Sequence, residues 1–206
     1  MPNNVVTLRA TEPSDYPYLE AWWNDVSVAD GCRATLDDLP RERVDALFHG
    51  WSDINDEHRF GRTVLDPGGM PIGHIAAWDC EDPDRDATMG ILIGPYFQGL
   101  GYGNQAMKLG IRIAADQLKA KTITVKVWSF NLRARHMYES LGFKEVDRTA
   151  KAVERNGTSF DEVVYRAPID VLLERIAAEQ TERTEGEEME RQRFAAQRPG
   201  DKLPLR

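Results

Sequence analysis

Gln98-Gly99-Leu100-Gly101-Tyr102-Gly103 sets three glycines within five residues, directly before an apolar stripe at helical spacing. Glycine reaches positive φ without steric penalty and lets a ligand come close to the main chain. The first N–H groups of a helix lack intrahelical partners and sit at the positive end of its dipole. A glycine loop opening onto a helix therefore suits a phosphate or pyrophosphate. A tight strand-to-helix turn with no ligand would use the same residues. Two nucleotide-binding alternatives fail on residue type. The span lacks the Gly-Lys-Ser/Thr ending of a P-loop. It also lacks the first glycine of a GxGxxG fingerprint, and Lys121 to Trp128 offers no acidic strand-end residue for a ribose.

The elements that must position this loop lie on both sides of it. Met89, Ile91 and Ile93 alternate as a strand requires, and Gly94-Pro95 ends that strand. After the loop, Met107, Ile111, Ala114 and Leu118 form one apolar helical stripe. Residues 122–128, TITVKVW, alternate again, with Ile123, Val125 and Val127 on one face. Asn131 and Tyr138 then lie seven apart on one side of a short helix, and Gly142 is a natural C-cap before Phe143.

Two patterns in this order carry a family resemblance. Gln98, Gly101 and Gly103 fill Gln/Arg-x-x-Gly-x-Gly/Ala, and Asn131, Tyr138, Gly142 and Phe143 fill Asn-x6-Tyr-x3-Gly-Phe. Together they resemble the GNAT (GCN5-related N-acetyltransferase) superfamily, firmly over residues 72–150 and more broadly over 5–168. The N-terminal stretch LRATEPSDYPYLEAWWND is similar in style to the ribosomal-protein N-terminal acetyltransferase branch. The resemblance implies a single mixed, mostly antiparallel sheet of about seven strands, splayed at its central strands and flanked by about four to five helices. It implies acetyl-CoA as co-substrate and a primary amine as acceptor, whether a small cationic amine, an antibiotic-like amine or a protein N-terminus. Transfer of a longer acyl group and an acyl-CoA-binding sensor or interaction module without catalysis are the alternatives. Ile91, Leu92 and Ile93 would pair through their main chain with the pantetheine amides, as an added strand does. Gln98, Gly99, Leu100, Gly101, Tyr102, Gly103 and the amide of Asn104 would cradle the pyrophosphate.

Acetyl transfer needs a held donor, a neutral amine, a stabilised oxyanion and a proton for the departing thiolate. Within the resemblance Tyr138 is the candidate general acid, since a phenol near pKa 10 can donate to a thiolate whose thiol titrates near 8.5. A core tyrosine is the plainer alternative. Asn131 either contacts the cofactor or only caps its helix. The base cannot be carried over. Many relatives have an acid at the start of the central strand, where this chain has Thr88-Met89, and Glu early in the loop helix, where it has Gln105. His74 and the acids Asp79, Glu81 and Asp82 are alternatives, as is an amine of lowered pKa with no dedicated base. Trp22 and Trp23, with Asp25 and Asp30, suggest an acceptor pocket with an aromatic wall and anionic anchors; one of the two tryptophans must face the core.

The rest of the chain reads as an α+β (α/β) domain over residues 1–178. Strands are expected at 5–9, 58–65 and 71–78, the last two joined at Asp66-Pro67-Gly68-Gly69. A hairpin through Asn156-Gly157 joins 143–153 to 160–167. Helices are expected from Ser14 or Asp15 to Trp23, within 37–50, and over 170–179. Residues 179–206 read as a charged tail, partly helical or disordered. Cys32 and Cys80 form neither a disulfide framework nor a zinc site, so a reducing cytoplasm is the default and no metal is expected. No apolar run reaches membrane length, and Met1 to Ala10 lacks a basic stretch followed by a long apolar one, so neither a membrane span nor a secretory signal is expected.

Charge is divided along the chain. The total is −8, yet residues 1–60 hold 12 acids against 5 bases, and residues 98–155 hold 11 bases against 5 acids. The basic part coincides with the proposed pyrophosphate loop, which suits polyanionic coenzyme A. The acidic part would face a cationic amine, or serve only solubility. This balance argues against nucleic acid as a partner. The chain is expected to be a monomer or homodimer, away from membranes.

Overall fold

The computed structural model describes residues 5–196. Seven strands form one sheet in the order β1-β2-β3-β4-β5-β7-β6. They are β1 (Thr7–Ala10), β2 (Phe60–Leu65), β3 (Pro71–Trp78), β4 (Asp86–Ile93), β5 (Thr122–Trp128), β6 (Lys144–Arg155) and β7 (Thr158–Pro168). Six α-helices flank them: α1 (Tyr16–Asn24), α2 (Val26–Cys32), α3 (Arg41–Ser52), α4 (Tyr102–Asp116), α5 (Leu132–Leu141) and α6 (Ile169–Ala196). All neighbouring strands are antiparallel except β4 and β5, which are parallel. This is the mixed, mostly antiparallel seven-strand sheet that the family resemblance implied, with six α-helices where about four to five were expected.

Alternation along the central strands sends side chains to two separate cores. Met89 on β4, Ile75 on β3 and Ile123, Val125 and Val127 on β5 pack with Met107, Ile111 and Ala114 of α4. Met107, Ile111, Ala114 and Leu118 are all fully buried, as their spacing predicted. Gly110 lets α4 sit close on the sheet, since a Cβ there would come within 2.5 Å of Ile75 Cδ1. On the opposite face Leu92 packs with Tyr16, Leu19 and Trp22 of α1 and Val44 and Phe48 of α3.

Asp15 fixes α1 to the sheet edge. Its buried carboxylate accepts from the Arg9 guanidinium at 2.6 and 2.8 Å, Thr63 Oγ1 at 2.8 Å and the Glu12 amide at 2.9 Å. Burial works to raise the Asp15 pKa, but these hydrogen bonds win and hold it below the usual carboxylate value.

Several elements differ from the sequence expectation. α3 starts at Arg41, inside the expected stretch, where Pro40 pushes the preceding residue out of helical geometry, but it runs on past residue 50 to Ser52. α2 was not anticipated: VSVADGC is poor in helix formers. It is held by Asp25, whose side chain accepts from the Ser27 amide at 2.9 Å, and by Arg155, which binds Asp30 at 2.8 Å. α6 is one continuous helix that runs through the expected boundary at residue 178. Leu172 and Ile176 anchor it, Lys108 of α4 pairs with Glu179, and Arg112 donates to Gln180 at 2.9 Å. Residues 181–193 are exposed. Residues 197–206, the last part of the expected tail, lie outside the described residues, as do residues 1–4.

Candidate active site

The sheet opens between β4 and β5. Their parallel pairing covers only Asp86–Thr88 against Thr122–Thr124, although β4 continues to Ile93 and β5 to Trp128. β4 stays paired on its other side down to Ile93 opposite Gly73, so the splay belongs to the β5 side. With no β5 partner beyond Thr88, the main-chain edge of residues 89–93 faces the gap, while Met89, Ile91 and Ile93 pack toward α4.

The glycine loop follows at the end of β4. A 3-10 turn, Pro95–Phe97, leads into Gln98. Gln98 ties the loop to its strand: Nε2 donates to the Ile93 carbonyl at 3.1 Å, and Oε1 accepts from Arg133 Nη1 at 3.3 Å. Gly99 and Gly101 take positive φ, 78° and 82°, and Gly101 is the N-cap of α4. No heavy atom lies within 4 Å of a Cβ built at either position, so the outer face of the loop is open. Gly103 differs, because it is already helical and a Cβ there would make ordinary contacts with Ile93 Cγ1 at 3.6 Å and Met137 Sδ at 3.8 Å. Tyr102 buries its side chain and Leu100 exposes its own, so both bring mainly backbone to the loop. Asn104 follows in the first turn of α4, where N–H groups have no intrahelical partner.

α5 lines the other side of the gap. Asn131 caps it, accepting from the Ala134 amide at 3.2 Å. Gly31 of α2 makes room for that side chain, since a Cβ there would meet Asn131 Nδ2 at 3.0 Å. Tyr138 is 5% exposed, with its ring against Phe143 and Tyr165. Its hydroxyl makes no hydrogen bond among the described residues. Burial raises the phenol pKa well above its ordinary value, and the nearby Cys32 thiol acts in the same direction. Cys32 has an exposed residue surface, but its thiol is crowded by protein at the cavity wall, and burial pushes it up to about 11.

On the α1–α3 face the splay widens into a cavity of about 350 Å³. Its floor is Ala76 and Gly90, which are register partners on β3 and β4. Trp23 of α1, Trp51 of α3, Trp78 of β3 and Trp128 of β5 also line it, each half-buried. Trp51 stacks on Trp78 with centroids 6.4 Å apart and meets Trp23 edge-on at 5.4 Å. The polar groups on this surface are few. His74 is buried and linked to Ser52 Oγ at 2.9 Å, and burial lowers its pKa to about 3, against a smaller opposing pull from Asp15. Thr88 lies opposite Trp78, and Glu162 of β7 faces Lys126 with 3.9 Å between Oε2 and Nζ. Tyr138, Asn131 and the β4 segment from Thr88 to Leu92 line the same space.

The residues expected to form an acceptor pocket thus divide. His74 lines the cavity. Trp22 does not: it is 8% exposed in the α1–α3 core, with its indole against Gly94 and Phe97. Its neighbour Trp23 supplies the aromatic wall. Asp25 is spent capping α2, and Asp30 pairs with Arg155. Asp79 lines a neighbouring recess beside Arg59 rather than the main cavity. Gln105, where relatives carry an acid, accepts from the Val6 amide at 3.2 Å. Trp51, Trp78, Trp128, Cys32 and Glu162 were not singled out from the sequence. For Trp78, Trp128 and Glu162 strand alternation was the available signal, since each stands on the face opposite α4.

Comparisons with known proteins agree with this geometry. Residues 6–144 match the family model described as acetyltransferase (GNAT) domain. Among curated proteins, the chain is 29% identical over 142 residues to spermidine N(1)-acetyltransferase of Escherichia coli, covering 67% of this chain and 72% of that protein. It is 22% identical over 165 residues to the SPbeta prophage-derived uncharacterized N-acetyltransferase YokL of Bacillus subtilis, covering 78% and 88%. Among solved structures, spermidine N-acetyltransferase from Vibrio cholerae in complex with CoA and spermine superposes with a TM-score of 0.72 at 22% identity, over 82% of this chain and 98% of that one. A putative phosphinothricin N-acetyltransferase gives 0.69 at 19% identity, over 80% and 98%. With two motifs, a sheet splayed at β4–β5 and a family match over most of the domain, this chain belongs to the GNAT superfamily of acyl-CoA-dependent N-acetyltransferases.

Proposed function

We propose that the chain moves the acetyl group of acetyl-CoA to a small primary amine, with Tyr138 serving the leaving thiolate. The observation that carries this is the shared space: the β4 edge, the Tyr138 side chain and the tryptophan-walled cavity all border one opening.

The residues fit the donor. The open, positive-φ backbone at Gly99 and Gly101 and the first amides of α4 suit a pyrophosphate, and the main chain of residues 89–93 suits the pantetheine arm. Arg133 stands beside the loop as a cation. Bound there, acetyl-CoA supplies an activated acyl carbon at the gap.

The remaining steps fall to this chain's side chains. The apolar cavity disfavours an ammonium ion relative to the free amine. Desolvation there favours the neutral nucleophile without a strong dedicated base. His74, with a pKa near 3, is too weak a base to draw that proton efficiently. The amine proton leaves to Glu162 or to water as the C–N bond forms and the C–S bond breaks. Tyr138 stays protonated at any working pH, so its O–H is always available to the thiolate sulfur. A phenol so reluctant to ionise acts mainly by hydrogen bonding as charge develops, with complete proton transfer trailing.

The test is a panel of primary amines offered with acetyl-CoA, followed by release of free thiol and by mass of the acetylated product. Stoichiometric thiol and N-acetyl product support the reading. Thiol release that is indifferent to every amine overturns it.

A further inference from the structure

The acceptor cavity is built for one kind of amine. Its wall combines the faces and edges of Trp23, Trp51, Trp78 and Trp128 with a flat floor of Ala76 and Gly90. Planar groups stack well on such a surface, and aromatic pairs gain beyond the area they bury. Its polar complement is sparse: among the described residues Glu162 is the single carboxylate lining it, and that carboxylate already faces the Lys126 cation at 3.9 Å. Asp25 and Asp30, the other acids near α2, are held in a helix cap and in an ion pair with Arg155. A linear polyamine entering this cavity would set its further ammonium groups against indole faces alone, a modest cation–π contact, with no second carboxylate to neutralise them. A single amine meets no such obstacle.

Position along the sheet gives the orientation. Glu162 lies on β7 opposite Trp128, at the end of β5 and one strand beyond the gap, and still lines the cavity. Trp51 and Trp78 lie over β3, on the far side of β4. Glu162 and Tyr138 line the same cavity, so an amine held toward the Glu162 end stays in the space that Tyr138 borders, with its body directed toward the tryptophans on the β3 side. Building on the acetyl-transfer reading above, we infer that the acceptor is a monoamine carrying a planar aromatic group. The ring lies among Trp23, Trp51 and Trp78, and Glu162 receives the amine.

The experiment compares 2-phenylethylamine and tryptamine with hexylamine and spermidine, using acetyl-CoA and the full chain. The expected result is a kcat/KM for the aryl amines at least about tenfold above hexylamine and higher still above spermidine. Calorimetry of the same amines against the enzyme with desulfo-CoA should rank binding in the same order, independent of turnover. Trp51→Leu should lower aryl-amine affinity about tenfold and leave CoA affinity unchanged; Glu162→Gln, at a partly exposed site that does not threaten folding, should raise KM for every amine. Spermidine or hexylamine matching the aryl amines would overturn the aromatic assignment while leaving amine acetylation intact. Octanoyl-CoA outperforming acetyl-CoA would overturn it too, by showing that the cavity takes an acyl chain. No turnover with any amine would remove both readings.

Discussion

The indole of Trp78 lies directly over Gly90. A Cβ built at position 90 would come within 3.0 Å of Trp78 Cη2 and 3.3 Å of Cζ3. Gly90 is thus the point where β4 gives up a side chain to seat the Trp78 ring that walls the cavity. Filling it should act on the acceptor and spare the donor. Gly90→Val is expected to raise KM for the amine about tenfold, with KM for acetyl-CoA nearly unchanged. The half-buried Trp78 ring can yield, so overpacking should destabilise by about 1–3 kcal/mol. Steady-state kinetics with both substrates varied, and a urea titration, check this.

The loop glycines are not equivalent, and substitution should separate them. At Gly101, φ of 82° makes any side chain strained, by about 1–2 kcal/mol. Gly101→Ala is expected to weaken CoA binding measured by calorimetry and to lower stability by that amount. Gly103→Ala should do little to stability, because its Cβ meets only ordinary contacts. Gly103→Trp should abolish CoA binding by filling the approach to the α4 amides. Unchanged affinity in both Gly101→Trp and Gly103→Trp would remove the loop from the donor site.

What the sequence disclosed and what it hid follow physical lines. Period-2 and period-3.6 patterns identified the central strands and the buried face of α4, because burial there is one-sided and continuous. The loop and the α5 motif were legible because glycine conformation and helix spacing are local. The cavity wall was legible only in part: the Trp22–Trp23 pair was read as an aromatic wall, but Trp51, Trp78 and Trp128 come from three further elements whose meeting is decided by tertiary packing. Trp22 and Trp23 show the limit sharply: adjacent on a helix, one must be buried and one not, and residue type does not say which. α2 escaped notice because its stability comes from Asp25 and from Arg155, 125 residues away from Asp30 in the chain.

His74 should give stability a distinctive acid dependence. Its folded pKa, near 3, lies below the ordinary value of 6.5 because burial disfavours the charged ring. A histidine depressed in the native state makes the unfolded chain bind more protons below pH 6.5. Stability from this group is therefore full above about 6.5 and declines as pH falls toward the folded pKa, by up to about 1.4 kcal/mol per pH unit. Urea midpoints between pH 7.5 and 5 should show that slope, and His74→Gln should remove most of it. A His74 ring signal that titrates near 6.5 by NMR would contradict the burial effect.

The far half of α6 should contribute little to folding. Residues 181–193 are exposed, and the Arg183–Glu187 pair is a surface ion pair worth at most about 0.5 kcal/mol. Truncation after Gln180 keeps Leu172, Ile176 and the links from Lys108 and Arg112. Thermal denaturation of the shortened chain should match the parent to within about 1 kcal/mol. A larger loss, or a change in oligomeric state by light scattering, would mean that this segment is covered in solution.

Tyr138→Phe tests the chemistry itself. The substitution removes one oxygen that makes no hydrogen bond among the described residues and keeps the ring against Phe143 and Tyr165. Packing should survive, so a urea titration is expected to shift little. If the hydroxyl meets the thiolate as C–S cleavage proceeds, its effect is felt in the transition state more than in the ground state. The expected signature is a fall in kcat of about 100-fold, at the lower end for a general acid because a phenol of raised pKa donates reluctantly. KM for acetyl-CoA should move much less. The parent enzyme should show no kinetic break between pH 6 and 9 that disappears in the variant, because the phenol stays protonated throughout. Full kcat in Tyr138→Phe, with chemistry rate-limiting, would assign the thiolate's proton to water. Cys32 then offers a control, since its own thiol is held protonated beside the phenol. Cys32→Ala should leave kcat within about twofold if Tyr138 alone serves the sulfur.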